Sequence, residues 1–429
     1  MGYFTSNVRR QRLKGGFWMK LMRVCLVLCL ILSLIVFAVP VLATGKTGAS
    51  ECAPDRVLVK FKAGADEVVK KNIHAKHGGR VVDEIAALGV QVVEVPAGKV
   101  KEKVRAYKQE NAIEYAEPDF VAEAVGLPND PYFGKQWGLN NTGQTGGTPD
   151  ADIDAPEAWD ITTGDAGIKI AVLDTGVDQN HEDLAGKIVA NKNFTRSRTV
   201  DDLYGHGTHV AGIAAAMTNN GRGVAGGGYN CTIMNGKVLG DTGSGYYSWI
   251  ANGIIWAAEN GAKVINMSLG GTEPSSTLEA AVNYAWTKGA VLAAAAGNSN
   301  TNDPLYPACY ANCIAVAATD QNDAKAGFSS YGEWVDVAAP GVDIFSTLPN
   351  HRNRIGILNY GSLSGTSMAT PYVSGVAGLV WATGYGTDNV SARSRIESTA
   401  DQDLLPIWTD YGIPRVNAYG AVQPPSPSA

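Results

Sequence analysis

The sequence predicts an α/β fold: a doubly wound, mainly parallel sheet with helices on both faces, preceded by a small α+β unit of ferredoxin-like order. Three observations lead there. Beyond Ala155, short apolar runs read as strands: Ile168–Leu173 (IKIAVL), Lys263–Met267 (KVINM), Ala290–Ala296 (AVLAAAA) and Ile314–Ala318 (IAVAA). Helix-like stretches stand among them at Val210–Met217, Tyr247–Glu259 and Leu278–Lys288. Strands that are apolar throughout are buried on both faces, and the helices supply the covers. Ahead of this region the periodicity is different. Arg56–Lys62 alternates as a strand, Asp66–His77 has helical spacing through Val68, Val69 and Ile73, and Val90–Val95 is a second strand. Val100–Gln109 is a second helix, and Ile113–Asp119 closes a β-α-β-β-α-β rhythm. Finally, Gly126-Leu127-Pro128-Asn129-Asp130-Pro131 breaks the pattern between the two parts.

Composition narrows the class of function. Charged residues make up 18% of the 429-residue chain and hydrophobic ones 45%, the reverse of the balance that keeps chains disordered. A net charge of −6 leaves no basic footprint for nucleic acid. The 50 glycines follow no collagen period and point to many tight turns and close backbone approaches. Arg12, Lys20 and Arg23 precede an uncharged run, Val24–Ala43, that ends in Val41-Leu42-Ala43. A basic head, an apolar run and small residues at the end form a secretory signal cut after Ala43, with translation starting at Met1 or Met19. Retained, the same run is long enough to anchor the chain in a membrane. Two of the six cysteines, Cys25 and Cys29, lie in this run, and Glu51 spoils a lipoprotein box at Cys52. Cys231 reads as a buried apolar residue. Cys309 and Cys313 are either a local disulfide of an oxidising compartment or two buried thiols.

Four positions carry chemistry. Asp174 ends the strand IKIAVL, at the carboxyl edge where α/β sites form, although a turn or cap would also use it. His206 lies in Gly205-His206-Gly207-Thr208-His209, whose glycines let backbone crowd a site. A metal pair and two structural histidines are the other readings of that motif. Ser367, in Gly365-Thr366-Ser367-Met368-Ala369-Thr370-Pro371, falls in the first turn of a helix, as a nucleophile or as a plain cap. Asn298 follows Ala293–Gly297, where its amide can donate to a developing oxyanion or simply make a turn.

An acid, a base and a nucleophile in the order Asp, His, Ser, with an amide donor, form a triad arrangement. On these motifs residues 127–422 resemble the subtilisin-like serine peptidases. The resemblance implies Ser367 as nucleophile, His206 as general base, Asp174 as its orienter, Asn298 as an oxyanion donor, and a structural His209. It further implies that Gly243, Ser244, Gly245 and Ser268, Leu269, Gly270, Gly271 sandwich an extended peptide as an added strand. Such backbone reading gives broad specificity. Ala295, Ala296 and Gly297 would wall the primary pocket, with Leu305 as a floor that favours medium apolar residues.

After the signal (1–43), and ahead of a Pro- and Ser-rich end that reads as a flexible tail (423–429), the same resemblance implies an inhibitory and folding-assisting propeptide (44–124, folded over about 55–122) with self-cleavage near Ala124-Val125 and a catalytic domain (125–422). It implies a structural Ca²⁺ held by Asp130, Asp183, Asn220 and the carbonyls of Met217, Arg222 and Val224. A further family calcium loop is expected to be absent, because Asn193, Thr195, Arg196 and Arg198 stand in the stretch before Asp201 and Asp202. A weak cation site of carbonyls around Ala308, Tyr310 and Cys313 is also implied. Tyr372 stands after Pro371 where the family usually has histidine, which implies altered packing. The expected protein is a secreted, monomeric, self-processing endopeptidase acting on proteins and peptides, with no nucleic-acid partner. The alternatives are a membrane-tethered protease and a catalytically weak binding member of the family.

Overall fold

The computed structural model describes residues 52–120, 126–402 and 411–425. The signal, the expected cleavage region and the last four residues lie outside the described residues. The chain divides into two compact units between Ala124 and Val125.

In the first unit β1 (Cys52–Phe61), α1 (Glu67–His77), β2 (Arg80–Ile85), β3 (Val90–Glu94), α2 (Val100–Lys108) and β4 (Ile113–Phe120) follow the expected rhythm. They form an antiparallel sheet of order β2-β3-β1-β4. Asp66 caps α1 by accepting from the Val69 N–H at 2.8 Å, and Gly78 at φ 65° ends it. The apolar spacing misjudged the buried face of this helix. Val68 and Val69 are exposed, while Ile73 and His74 are buried. His74 turns inward because its ring meets two partners there, Tyr107 Oη at 3.0 Å and Gln91 at 2.9 Å. A polar residue with both nitrogens satisfied can occupy a core position that spacing rules reserve for an apolar one.

The second unit is built on a seven-stranded sheet of order β11-β10-β9-β8-β5-β7-β6, parallel throughout. Its strands are β5 (Lys169–Asp174), β6 (Ile188–Asn193), β7 (Thr232–Lys237), β8 (Val264–Met267), β9 (Val291–Ala295), β10 (Ile314–Thr319) and β11 (Val337–Pro340). Alternate residues of each central strand enter opposite cores. Ile170, Val172, Val291 and Val316 join one; Ala171, Leu173, Leu292 and Ala315 join the other. That is why these strands read as unbroken apolar runs. Helices α4 (His206–Ala215) and α7 (Thr366–Trp381) fill the first core, and α5 (Tyr247–Glu259) and α6 (Ser276–Thr287) the second. A hairpin of β12 (Ile344–Thr347) and β13 (Tyr360–Leu363) and helices α3 (Ala155–Ile161), α8 (Asn389–Ser398) and α9 (Ala418–Val422) complete the unit.

Two element boundaries fall at the chemistry. Strand β5 runs one residue past its apolar stretch, so Asp174 is its last member. Helix α4 starts at His206, four residues before the first apolar residue that marks it in the sequence. Its polar first turn is held by Asp202, which accepts from the Thr208 N–H and hydroxyl, both at 2.8 Å.

Candidate active site

The parallel sheet gathers the site at one edge. Asp174 lies at the carboxyl end of β5, Ser268 just beyond β8 and Asn298 three residues beyond β9. His206 and Ser367 open α4 and α7. Asp174 is fully buried and its Oδ1 accepts from His206 Nδ1 at 2.8 Å and from the Thr175 N–H at 2.7 Å. The His206 ring keeps 20% of its surface exposed. Burial lowers the His206 pKa, but the Asp174 charge and hydrogen bond, aided by Asp202, outweigh that and raise it above the usual value. A small framework fixes the ring's backbone. Thr175 Oγ1 accepts from the Gly207 N–H at 2.9 Å and donates to Asp202 at 2.8 Å. Gly207 is obligatory at this crossing, since a Cβ there would come 2.2 Å from the Gly176 carbonyl oxygen. One helical turn on, His209 is buried, its Nε2 is 3.1 Å from the Gly361 carbonyl, and burial pushes its pKa down to about 3.

Ser367 sits in the first turn of α7, where backbone N–H groups lack intrahelical acceptors. Pro371 has no N–H to offer the Ser367 carbonyl four residues earlier. Ser268 Oγ takes that place, donating to the Ser367 carbonyl at 2.8 Å. Ser268 is held in turn by Asn266 Nδ2 at 3.0 Å, and Asn266 by Ser374 Oγ at 2.9 Å. The proline within the helix is therefore part of how the serine turn is fixed. Ser367 Oγ donates to the Ser268 carbonyl at 3.2 Å, and no hydrogen bond joins it to His206.

Asn298 is oriented by a residue that the sequence left unassigned. The Thr366 N–H and hydroxyl both donate to Asn298 Oδ1, at 2.9 and 3.1 Å. With its oxygen so anchored, the amide nitrogen faces the Ser367 turn; a Cβ built on Gly365 would stand 3.5 Å from it. Thr366, Asp202 and Thr175 are the positioning residues that motif reading missed. Asp202 carried a usable signal, an aspartate shortly ahead of a helix start.

A cavity of 330 Å³ adjoins Ser367, lined among others by Leu269, Gly270, Ala295, Ala296, Gly297 and Leu305. Leu305 wedges between two glycines: a Cβ on Gly270 would lie 2.4 Å from its Cδ2, and one on Gly297 3.2 Å. Asp303 and Ser330 also line this cavity and were not expected. None of the described turn and loop backbone hydrogen bonds involves Leu269 or Gly270. Gly240 and Ser244 close a tight turn at 2.8 Å that carries Gly243 against the Tyr204 ring, two residues before His206, and leads into Gly245.

Away from the cleft, Asp130 and Asp183 are both buried. Asp130 accepts from the Asn219 and Asn220 N–H groups, and Asp183 from Asn220 Nδ2 at 2.9 Å, the Val224 N–H at 2.9 Å and Tyr360 Oη at 3.0 Å. Met217 is tied to the same spot through the Asp183 carbonyl. Neither carboxylate has a Lys or Arg partner among the described residues. Burial raises the pKa of Asp183. Two buried acids without a basic partner, beside the Asn220–Val224 loop, are a donor set that suits a hard cation. Cys309 and Cys313 are free thiols, and burial raises the pKa of both. Tyr372 is buried over Gly138, where any Cβ would strike its ring.

Comparison with known proteins finds matches in both units. Residues 165–420 match the subtilase family (Peptidase S8), and residues 40–119 match the fervidolysin N-terminal prodomain. The chain is 52% identical to thermitase of Thermoactinomyces vulgaris over 298 residues, covering 69% of this chain and 99% of thermitase. It is 43% identical over 368 residues to a thermophilic serine proteinase of Bacillus sp. strain AK1, covering 85% of this chain and 86% of that one. Among solved structures, a protease from Pseudoalteromonas arctica superposes with a TM-score of 0.63 at 34% identity, over 69% of this chain and 99% of that chain.

Proposed function

The chain belongs to the subtilase family as a serine endopeptidase with an N-terminal prodomain, and from that premise we propose that it is a secreted, self-processing, calcium-stabilised protease of broad specificity acting through Ser367, His206, Asp174 and Asn298. The observation that carries the reading is the 2.8 Å contact between Asp174 Oδ1 and His206 Nδ1, with Ser367 in the first turn of α7. In the proposed reaction Ser367 Oγ attacks the scissile carbonyl carbon while its proton passes to His206 Nε2. The tetrahedral oxyanion is received by Asn298 Nδ2 and the Ser367 N–H. As the C–N bond breaks, His206 returns the proton to the leaving amine. Water then repeats the sequence on the acyl-enzyme, with the serine restored. Asp174 keeps the proton on Nδ1, so that Nε2 is the basic nitrogen. Leu269 and Gly270 offer unpaired backbone to an extended substrate, which supports reading by main chain more than by side chain. Leu305 shortens the pocket and favours medium apolar side chains over large aromatic ones.

Secretion rests on the signal pattern of residues 1–43. Among the described residues, no helix is long and apolar enough to cross a membrane. The test is expression of the full chain and its Ser367→Ala form with calcium. Wild type is expected to be cut near Ala124 and the variant to stay joined; equal cutting in both refutes self-processing.

Because His206 must be neutral to act as base, kcat/KM is expected to fall with decreasing pH through an inflection above 6.5, the ordinary histidine value. Asp174→Asn removes the main cause that raises it, so the residual activity should lose its inflection at lower pH. A pH–rate profile of both forms checks this.

Calcium at Asp130, Asp183 and Asn220 would bind only the folded chain. At a concentration 100 times its Kd it would add about 2.7 kcal/mol of stability. Chelation is expected to lower the Tm of the wild type and to leave that of Asp183→Ala, already lower, unchanged. A Tm of wild type indifferent to chelator excludes the site.

A further inference from the structure

Asp178, Asp201 and His351 form a second group of ligand-bearing side chains outside the triad and the calcium donors. They come from three separate segments: the turn after β5, the stretch ahead of α4, and the excursion between β12 and β13. One ligand atom of each lies within 4.8 Å of the other two. Asp178 is fully buried, and neither aspartate has a Lys or Arg carboxylate partner among the described residues. The nearby Lys237 ammonium donates to the Asp201 backbone carbonyl instead and pairs with Asp241.

The hydrogen bonds orient the group. Asp178 accepts from the Asn180 N–H and the Asn350 N–H, both at 2.8 Å. Asp201 Oδ1 accepts from the Asp202 N–H at 3.0 Å, while Oδ2 faces His351 Nε2 at 3.4 Å without a hydrogen bond. His351 Nδ1 lies 3.3 Å from the Arg352 carbonyl oxygen. A carbonyl can only accept, so Nδ1 carries the proton in that contact. Nε2, sealed from solvent and without a hydrogen-bond partner, faces a carboxylate oxygen of Asp201. The three groups converge closely enough to share one cation. An imidazole that donates its other N–H to a backbone carbonyl is also the usual posture of a metal-ligating histidine.

We propose that Asp178, Asp201 and His351 bind a divalent transition metal of the zinc class. The imidazole ligand favours such an ion over calcium, whose sites are built from oxygen alone. The site has a place in the architecture of the cleft. His351 opens the segment His351–Leu358, which lies against the residues leading to His206. Arg354 and Ile355 both donate backbone N–H groups to the Tyr204 carbonyl at 3.1 Å, and Arg354 Nε donates to the Asp241 carbonyl at 2.9 Å. A Cβ on Gly205, next to His206, would lie 3.1 Å from Ile355 Cδ1. A bound metal would fasten this segment at its root, beside the catalytic histidine.

The test uses the full chain carrying Ser367→Ala, kept uncut, with calcium in excess. Equilibrium dialysis against Zn²⁺ is expected to show one more ion per chain than the same protein with His351→Gln. Asp201→Asn, nearly isosteric, should weaken that binding at least tenfold and abolish the visible absorption of bound Co²⁺. Equal Zn²⁺ stoichiometry and affinity in all three proteins would overturn the proposal and leave a protonated His351 as the cation.

Discussion

Replacing Ser367 by alanine is expected to lower kcat by about 10⁶-fold with little change in KM, the loss typical of a dismantled triad in this family. The measurement needs chains whose prodomain has been cut away by an unrelated protease, since the variant cannot release its own. The reason for the size of the loss is that three groups act as one unit. Without Oγ, His206 has no proton to take, and the 2.8 Å contact to Asp174 orients a base that does nothing. The same logic fixes the double variant. Ser367→Ala/His206→Ala should be no slower than Ser367→Ala within a few fold, because the second change removes a group already idle. Asp174→Asn should cost less, about 10⁴-fold, since it leaves nucleophile and base in place but allows the wrong tautomer. Additive losses in the double variant would show that His206 serves catalysis apart from Ser367, and would break the assignment.

The residues proposed to react were legible in the sequence because each sits where a period ends. Asp174 and Asn298 follow apolar strands, and His206 and Ser367 open apolar helices, so chemistry stands out against the pattern. The supporting residues were illegible for the same reason. Thr366, Thr175 and Asp202 act through contacts with residues distant in the chain, such as Thr366 to Asn298 and Thr175 to Asp202, which no periodicity encodes. Strands β6 and β7 were missed on similar grounds. β7 reads Thr-Ile-Met-Asn-Gly-Lys, yet all six residues are buried. Asn235 Nδ2 donates there to Asn191 and to the Val200 carbonyl, and the Lys237 ammonium to the Thr175 and Asp201 carbonyls, so polar side chains with partners at hand occupy an internal strand. The buried face of α1 failed in the opposite sense, with two valines left outside because a histidine found both its partners within.

Asn298→Leu is expected to reduce kcat by about 10²–10³-fold, or roughly 3–4 kcal/mol of barrier, while KM stays near the wild-type value. Leucine matches asparagine in shape and offers no donor. An oxyanion donor acts on the charged oxygen of the tetrahedral state more than on the ground-state carbonyl, so substrate binding should lose little while the tetrahedral state loses a hydrogen bond. The Thr366 N–H and hydroxyl, which now donate to Asn298 Oδ1, lose their acceptor. Stability should therefore fall as well, and a thermal melt separates that from the kinetic effect. Asn298→Asp sharpens the assignment. It retains an acceptor for Thr366 but places negative charge beside the developing oxyanion, so it should be slower than the leucine variant although better held. If the aspartate form proves the faster of the two, the amide serves the turn rather than the oxyanion, and the Ser367 N–H must carry the charge with another donor.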